Sequence, residues 1–153
     1  MNRKQKAYDL FFEGYNCAQA VAAAYDDVLG LDKKYLLNAA IAFGGGFART
    51  RNLCGAISGM GLVVGLYRAK GKSDVTDKAG AYKDVQELVE EFKERNAYEN
   101  CGDLLKDIKN ITEGYVPQIR DNAYYSTRPC IKFVLDAVEI LDKYIERQDP
   151  EQK

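Results

Sequence analysis

The sequence predicts an all-α protein: a compact bundle of six or seven helices with no sheet. Apolar residues recur every three or four positions through most segments, as they do on the buried face of an amphipathic helix. No segment keeps the strict alternation of apolar and polar residues that a half-buried strand requires. Glycine, asparagine and proline stand between the periodic segments, where helices begin and end. The 153 residues are 46% hydrophobic and 29% charged, which is typical of a folded globular chain.

The first three predicted helices each end at a glycine, which readily adopts the left-handed conformation that terminates a helix. They cover Arg3–Glu13 before Gly14, Cys17–Leu29 before Gly30, and Asp32–Phe43 before the run Gly44–Gly46. The glycine run, followed by Arg49 and Arg51, offers two interpretations. The run lacks the sequence Gly-x-x-x-x-Gly-Lys-Ser/Thr of a phosphate-binding loop, and it follows a helix instead of a strand. We therefore favour a turn of close approach, which lets two backbone segments pack together, over a site that binds phosphate.

The fourth predicted helix, Cys54–Ala69, contains glycines in pairs four residues apart, Gly55 with Gly59 and Gly61 with Gly65. A helix loses about 1 kcal/mol for each glycine that replaces alanine, so the pairs should have a packing reason. We expect them to form a smooth face against which neighbouring helices pack closely.

Three further helices complete the predicted bundle: Ser73–Tyr98, Cys101–Lys109 and Pro129–Arg147. We predict a loop over Asn110–Tyr125, which lacks periodicity, and loops of this length are often functional. The spacing places Tyr35 and Tyr82 on the apolar faces of their helices. The last helix is predicted to bury Phe133, Val134, Ala137, Val138, Leu141, Tyr144 and Ile145. We expect one helical domain over residues 1–147 and a polar tail at 148–153.

Composition and charge exclude several classes of protein. The net charge is −1 and the basic residues are scattered, so we expect no nucleic-acid partner. The longest weakly polar run, Leu53 to Tyr67, is shorter than the roughly 20 residues of a membrane span. The N-terminus lacks the apolar core of a secretory signal, so we expect a cytoplasmic protein. The chain has no histidine, which excludes Cys-His dyads, mixed Cys/His zinc sites and c-type haem.

The four cysteines all stand at predicted helix starts. Each has a residue before it that favours a helix N-terminus, asparagine in three cases and proline in one. The pairs are Asn16 with Cys17, Asn52 with Cys54, Asn100 with Cys101, and Pro129 with Cys130. Gln19 and Asp103 stand three residues after two of these asparagines, as in a capping box.

A helix start changes the chemistry of a thiol. Unpaired backbone N–H groups and the positive end of the helix dipole favour the thiolate, which is both the nucleophile and the metal ligand. Arg49, Arg51 and Arg128 are near enough in sequence to add to that effect. A single cysteine is more often an inert buried residue, but four at equivalent positions favour a shared role. Because alternate helices of an up-down bundle point the same way, we expect the sulfur atoms to cluster at one end.

The cysteine pattern resembles that of the C_GCAxxG_C_C family of redox-active proteins. The motif here is Cys54-Gly55-Ala56-Ile57-Ser58-Gly59, with Cys17 before it and Cys101 and Cys130 after it. The similarity extends from about Cys17 to Ile145. The resemblance implies a bacterial or archaeal cytoplasmic protein with a redox role and an association with a transporter system. It implies no particular substrate.

The first functional hypothesis is thiol–disulfide or electron-transfer chemistry by a thiol oxidoreductase. We expect Cys54 to be the attacking thiol, because Gly55 would leave its sulfur accessible, and Cys101 to be its partner. Cys17 and Cys130 form the remaining pair, although four cysteines allow three connectivities. The electron partner is a redox protein or a small thiol, and the sequence does not choose between them.

Two alternatives stay open. Cys17, Cys54, Cys101 and Cys130 are the right number of thiolates for zinc or an iron–sulfur cluster, although no two have the Cys-x-x-Cys spacing. The chain would otherwise be a non-enzymatic helical interaction module. In that case the tyrosine-rich loop would offer a partner surface, although we favour a role for its rings in covering the end of the bundle. These tyrosines are Tyr115, Tyr124 and Tyr125.

Overall fold

The computed structural model describes residues 2–69, 71 and 73–151. The described part of the chain contains nine α-helices, and a short 3-10 turn, Ile41–Phe43, follows the fourth. The helices are α1 (Arg3–Phe12), α2 (Cys17–Ala23), α3 (Asp26–Leu29), α4 (Lys33–Ala40), α5 (Gly55–Arg68), α6 (Val75–Asn96), α7 (Cys101–Leu104), α8 (Asn122–Thr127) and α9 (Cys130–Gln148).

The all-α prediction is confirmed. Helices of seven residues or more are α1, α2, α4, α5, α6 and α9, and the other three are single short turns. Within the residues described, the only extended pairing is one isolated antiparallel bridge between Leu53 and Asn100. In the same residues no helix has both the length and the apolar character needed to cross a membrane.

Helix α2 lies at the centre of the bundle. Its residues from Ala18 to Ala24 are all buried, and it packs against α1, α4, α5 and α9. Small alanine side chains allow these neighbours to approach closely. The predicted helix Cys17–Leu29 is broken after α2, because the side chain of Tyr25 enters the core. Its hydroxyl oxygen lies 2.8 Å from the carbonyl oxygen of Val138 and 2.9 Å from a carboxyl oxygen of Asp142, and the two share its one proton.

The contact between α2 and α5 depends on only one of the two predicted glycine pairs. A Cβ atom on Gly59 would lie 2.8 Å from the Cβ of Val21, and one on Gly55 would lie 3.3 Å from the Cβ of Cys17. A Cβ atom on Gly61 or Gly65 would have no neighbouring atom within 4 Å. The expectation of a smooth packing face is therefore correct for the first pair and wrong for the second.

Helix α9 carries the broadest apolar face, and all seven residues predicted to be buried there are buried. Other predicted details differ. Tyr35 and Tyr82 are 72% and 63% exposed, because only one narrow side of α4 and α6 contacts the core. The predicted loop 110–125 contains the start of α8, where Asp121 caps the helix by accepting from the N–H of Tyr124 at 2.8 Å. The predicted helix Cys101–Lys109 ends at Leu104.

Candidate functional site

The four cysteines line one cavity of about 460 Å³, as predicted from their positions at helix starts. Cys17, Cys101 and Cys130 are the first residues of α2, α7 and α9, and Cys54 is the N-cap of α5. The cavity therefore lies where four helices begin.

The caps of these helices match the prediction only in part. Asn16 forms a complete capping box with Gln19, whose side chain accepts from the Asn16 N–H at 3.0 Å. Asn100 occupies the N-cap of α7 without capping through its side chain. Pro129 is the N-cap of α9 and not its first helical residue. The side chain of Asn52 does not cap α5 as predicted. The backbone carbonyl of Asn52 instead accepts from the N–H of Cys101.

A pair of backbone segments brings Cys54 and Cys101 together. The N–H of Cys54 donates to the carbonyl of Glu99 at 2.8 Å, and the N–H of Cys101 donates to the carbonyl of Asn52 at 2.6 Å. These bonds flank the isolated bridge between the segments. Gly46 packs directly on this pair, since a Cβ there would lie 2.6 Å from the Cβ of Cys101. The interpretation of the glycine run as a turn of close approach is confirmed.

The turn after the glycine run has an unusual backbone. Five consecutive residues from Gly45 to Arg49 have positive φ angles, and three of them, Phe47, Ala48 and Arg49, are not glycine. Left-handed backbone costs roughly 1–2 kcal/mol at each non-glycine residue. Strain of this kind persists where the surroundings fix it, and it is common at functional sites. Here it turns the chain so that the side chains of Arg49 and Arg51 line the cavity.

The pKa values of Cys17 and Cys130 shift in opposite directions. The thiol of Cys17 hydrogen-bonds to the sulfur of Cys130, and this bond, assisted by the charges of Arg128 and Arg120, lowers the pKa of Cys130 to about 7 despite its burial. The same hydrogen bond and then burial raise the pKa of Cys17 well above its ordinary value. Of these two thiols, Cys130 is therefore the one that ionises first as the pH rises.

Cys54 and Cys101 behave differently. Burial raises the pKa of Cys54 to about 12, although the backbone N–H groups of Ala56 and Ile57 oppose the change. Burial also raises the pKa of Cys101, against the effect of Arg51, whose Nη1 lies 3.8 Å from the Cys101 sulfur. The expectation of an acidic thiol is therefore wrong for Cys17, Cys54 and Cys101. Gly55 does not open the Cys54 sulfur, because the backbone of Phe43 and Ala18 fills the space beside it.

Four arginines line the cavity beside the thiols: Arg49, Arg51, Arg120 and Arg128. Sequence reasoning identified three of them and missed Arg120. It lies in the long stretch after α7, and the length of that stretch was the available signal. Arg120 and Arg128 each lie 4.6 Å from the ring centroid of Tyr124. The ring of Tyr125 stacks on Phe12 at 4.6 Å.

The rings of Tyr124 and Tyr125 cover the end of the bundle, which is the role that we favoured for the tyrosines of this loop. Tyr115 is instead 90% exposed at the edge of the cavity.

The cysteines do not fit a metal centre. In the described residues, which include all four cysteines, no three Cys, Asp or Glu side chains are arranged so that they could hold a metal ion. All four are free thiols. We therefore derive no step through zinc or an iron–sulfur cluster.

Comparisons with known proteins agree with the cysteine pattern. A family model described as "Putative redox-active protein (C_GCAxxG_C_C)" matches residues 15–144. An "Uncharacterized protein" of Archaeoglobus fulgidus is 28% identical over 145 residues, covering 90% of this chain and 89% of its own length. No solved structure matches the chain.

Proposed function

The chain belongs to the C_GCAxxG_C_C family, and we propose that it carries out thiol–disulfide exchange through Cys17 and Cys130. The observation that carries this proposal is that Cys17, Cys130 and Arg128 line the same cavity, where a hydrogen bond from Cys17 lowers the pKa of Cys130. This arrangement supplies a thiolate at neutral pH and a second thiol next to it, which are the two components that disulfide exchange requires.

The exchange has two steps. The Cys130 thiolate attacks one sulfur of a substrate disulfide, forms a mixed disulfide and releases one substrate thiolate. Cys17 then loses its proton to solvent, attacks the Cys130 sulfur and releases the second substrate thiolate. The two cysteines lose two electrons in forming their disulfide, and the substrate disulfide gains them. A thiol reductant reverses both steps.

The arginines support each step. Arg128 is only 9% exposed and contributes its charge to the Cys130 thiolate without competition from bulk water. Arg120 adds a second positive charge. Once Cys130 has been consumed in a mixed disulfide, the bond that held the proton on Cys17 is lost. The thiol of Cys17 then ionises more readily and becomes the attacking group of the second step.

Cys54 and Cys101 have a different part in the proposal. Both are buried, and the pKa of each thiol is raised by that burial. We assign them no role in the first exchange and retain them as a second dithiol beside the reactive pair. Four free thiols are stable in a reducing compartment, and the proposal therefore includes a cytoplasmic location.

Disulfide mapping tests this proposal. The reduced protein is treated with one equivalent of 2-hydroxyethyl disulfide, a neutral probe, then alkylated and digested for mass spectrometry. We expect two thiols to be lost and a Cys17–Cys130 disulfide to form. Cys17→Ser should stop at a mixed disulfide on Cys130, whereas the matched variant Cys54→Ser should behave as wild type. A first disulfide that contains Cys54 or Cys101, or four unreactive thiols, would contradict the proposal.

A further inference from the structure

The cavity wall combines thiols with an excess of positive charge. Its lining contains four arginines and no aspartate or glutamate, whereas the whole chain has a net charge of −1. In the described part of the chain none of these arginines forms an ion pair with a carboxylate, although ten other lysines and arginines do. Those ten are Arg3, Lys4, Lys6, Arg68, Lys83, Lys93, Arg95, Lys132, Lys143 and Arg147.

In the described residues none of the four arginines donates a hydrogen bond to a carboxylate. Arg49 donates to the carbonyl of Gly114 at 2.5 Å and to that of Thr112 at 2.9 Å. Arg51 donates to the same Thr112 carbonyl at 3.1 Å and to the sulfur of Cys101. These bonds fix the positions of the guanidinium groups and leave their charges uncompensated.

Arg120 and Arg128 also donate to groups other than carboxylates. Arg120 donates to the carbonyls of Phe11 and Tyr15, both at 3.3 Å. Arg128 donates to the side-chain oxygen of Gln118 and also to the sulfur of Cys130. Four guanidinium charges exceed the single negative charge of a Cys130 thiolate, so the cavity retains a net positive charge for an anion that enters it.

Two further features show that the described residues do not fully compensate these positive charges. The Nε of Arg51 is buried and has no hydrogen-bond partner in the described residues, which is a costly state for a charged donor. Burial and the charges of Arg51 and Arg128 lower the pKa of Arg49, so the guanidinium groups repel one another. Glu113 lies near enough to Arg49 to counter part of this repulsion, but it is not part of the cavity wall.

From these contacts we propose that the cavity binds small disulfides that carry a negative charge, with carboxylate groups held by Arg51 and Arg128. This inference rests on the proposed function, because it names the class of substrate with which Cys130 reacts. Guanidinium groups bind carboxylates through paired, charge-assisted hydrogen bonds. The bound carboxylate places the sulfur atoms of the molecule within the cavity that Cys130 and Cys17 line. The exchange and its electron balance are those given above, with the anionic disulfide as the oxidant.

The test compares two small disulfides of similar shape and opposite charge. They are 3,3′-dithiodipropionate, which carries two carboxylates, and cystamine, which carries two ammonium groups. Each rate constant with the reduced protein is divided by that of the same disulfide with 2-mercaptoethanol thiolate, which removes intrinsic reactivity. We expect the normalised rate to be about tenfold higher for the anion, as a charged cleft raises the local concentration of an oppositely charged substrate.

Variants locate the effect. Arg51→Gln should reduce the preference about threefold, whereas Arg147→Gln, which removes the same charge from the surface pair with Glu91, should not change it. If Arg51→Gln does not fold, the wild-type protein still gives an answer. About 1 M NaCl shortens the Debye length to about 3 Å and should bring the ratio towards one.

The outcomes separate this inference from the proposed function. Equal normalised rates, with a Cys17–Cys130 disulfide still formed, would overturn the anionic substrate and leave the exchange intact; a protein disulfide would then be the better candidate. A clear preference for the anion without any Cys17–Cys130 disulfide would support the binding site and refute the exchange mechanism.

Discussion

Cys130 and Cys54 begin from the same local structure, and their pKa values shift in opposite directions. Cys130 starts α9, Cys54 caps α5, and both are buried at 7% and 4% exposure. Two backbone N–H groups face the Cys54 sulfur, yet its pKa rises to about 12. Cys130 receives a hydrogen bond from Cys17 and the charge of Arg128, and its pKa falls to about 7. Both thiols are buried at helix starts, so the difference between them comes from the side-chain donor and the full charge that act on Cys130 and not on Cys54.

The largest expected effect is a difference in alkylation rate. At pH 7 about half of the Cys130 thiol is ionised, but only about one part in 10⁵ of the Cys54 thiol. Because the thiolate is the reacting form, iodoacetamide should label Cys130 about 10⁴-fold faster than Cys54. Mass spectrometry of peptides sampled over time measures both rates. Labelling of Cys54 at a comparable rate would remove the distinction between the pairs.

The next effect concerns the contact between α2 and α5, which sets the distance between the two pairs. Gly59→Ala should lower the free energy of unfolding by about 1–3 kcal/mol, since the new methyl group would overlap Val21. Gly61→Ala is the matched control on the same helix, and it should raise that free energy by up to about 1 kcal/mol through helix propensity.

Urea unfolding of both variants gives the two values. Equal effects at Gly59 and Gly61 would mean that α2 does not lie against α5 as described.

Removal of Arg128 should bring the pKa of Cys130 closer to that of Cys54. Arg128→Gln takes away a buried charge that acts on Cys130, and we expect the pKa of Cys130 to rise by about one unit. The pH dependence of Cys130 alkylation measures the shift, and Arg147→Gln controls for the change in net charge. A profile that does not move would show that the hydrogen bond from Cys17 is sufficient.

The smallest effect is a pH dependence of stability. The folded pKa of Cys54, about 12, lies above its ordinary value of 9.0, so the unfolded chain loses this proton first as pH rises. The stabilisation is complete well below pH 9 and declines as the pH rises through 9, by about 1.4 kcal/mol at pH 10. Wild type should therefore lose more stability between pH 8 and pH 10 than Cys54→Ser does. Parallel pH profiles of the two proteins would contradict the buried, protonated state of Cys54.

The sequence predicts the parts of this site that depend on local signals. Asn16 with Gln19 marks the start of α2, and the lone glycine at position 30 marks the end of α3. Such caps need only neighbouring residues, so the positions of the cysteines at helix starts could be deduced. The clustering of the sulfur atoms followed from those positions and from the short connections of a helical bundle.

Other features depend on contacts between distant segments. The bridge that joins Cys54 to Cys101 pairs residues 47 positions apart, with no local signal in either segment. The left-handed backbone of Phe47 to Arg49 is not encoded by glycine. The pKa of each thiol depends on burial and on partners such as Arg120, which only the folded chain brings near. For this reason the sequence indicated Cys54 as the attacking thiol, whereas our proposal assigns that role to Cys130.

The central claim is that one thiolate exists on Cys130 near neutral pH. The absorbance of thiolates at 240 nm, followed from pH 5 to pH 9 on the reduced protein, tests it directly. We predict one transition centred near pH 7 that is absent from Cys130→Ser and retained in Cys54→Ser. The absence of any thiolate in the wild-type protein below pH 9 would contradict the account.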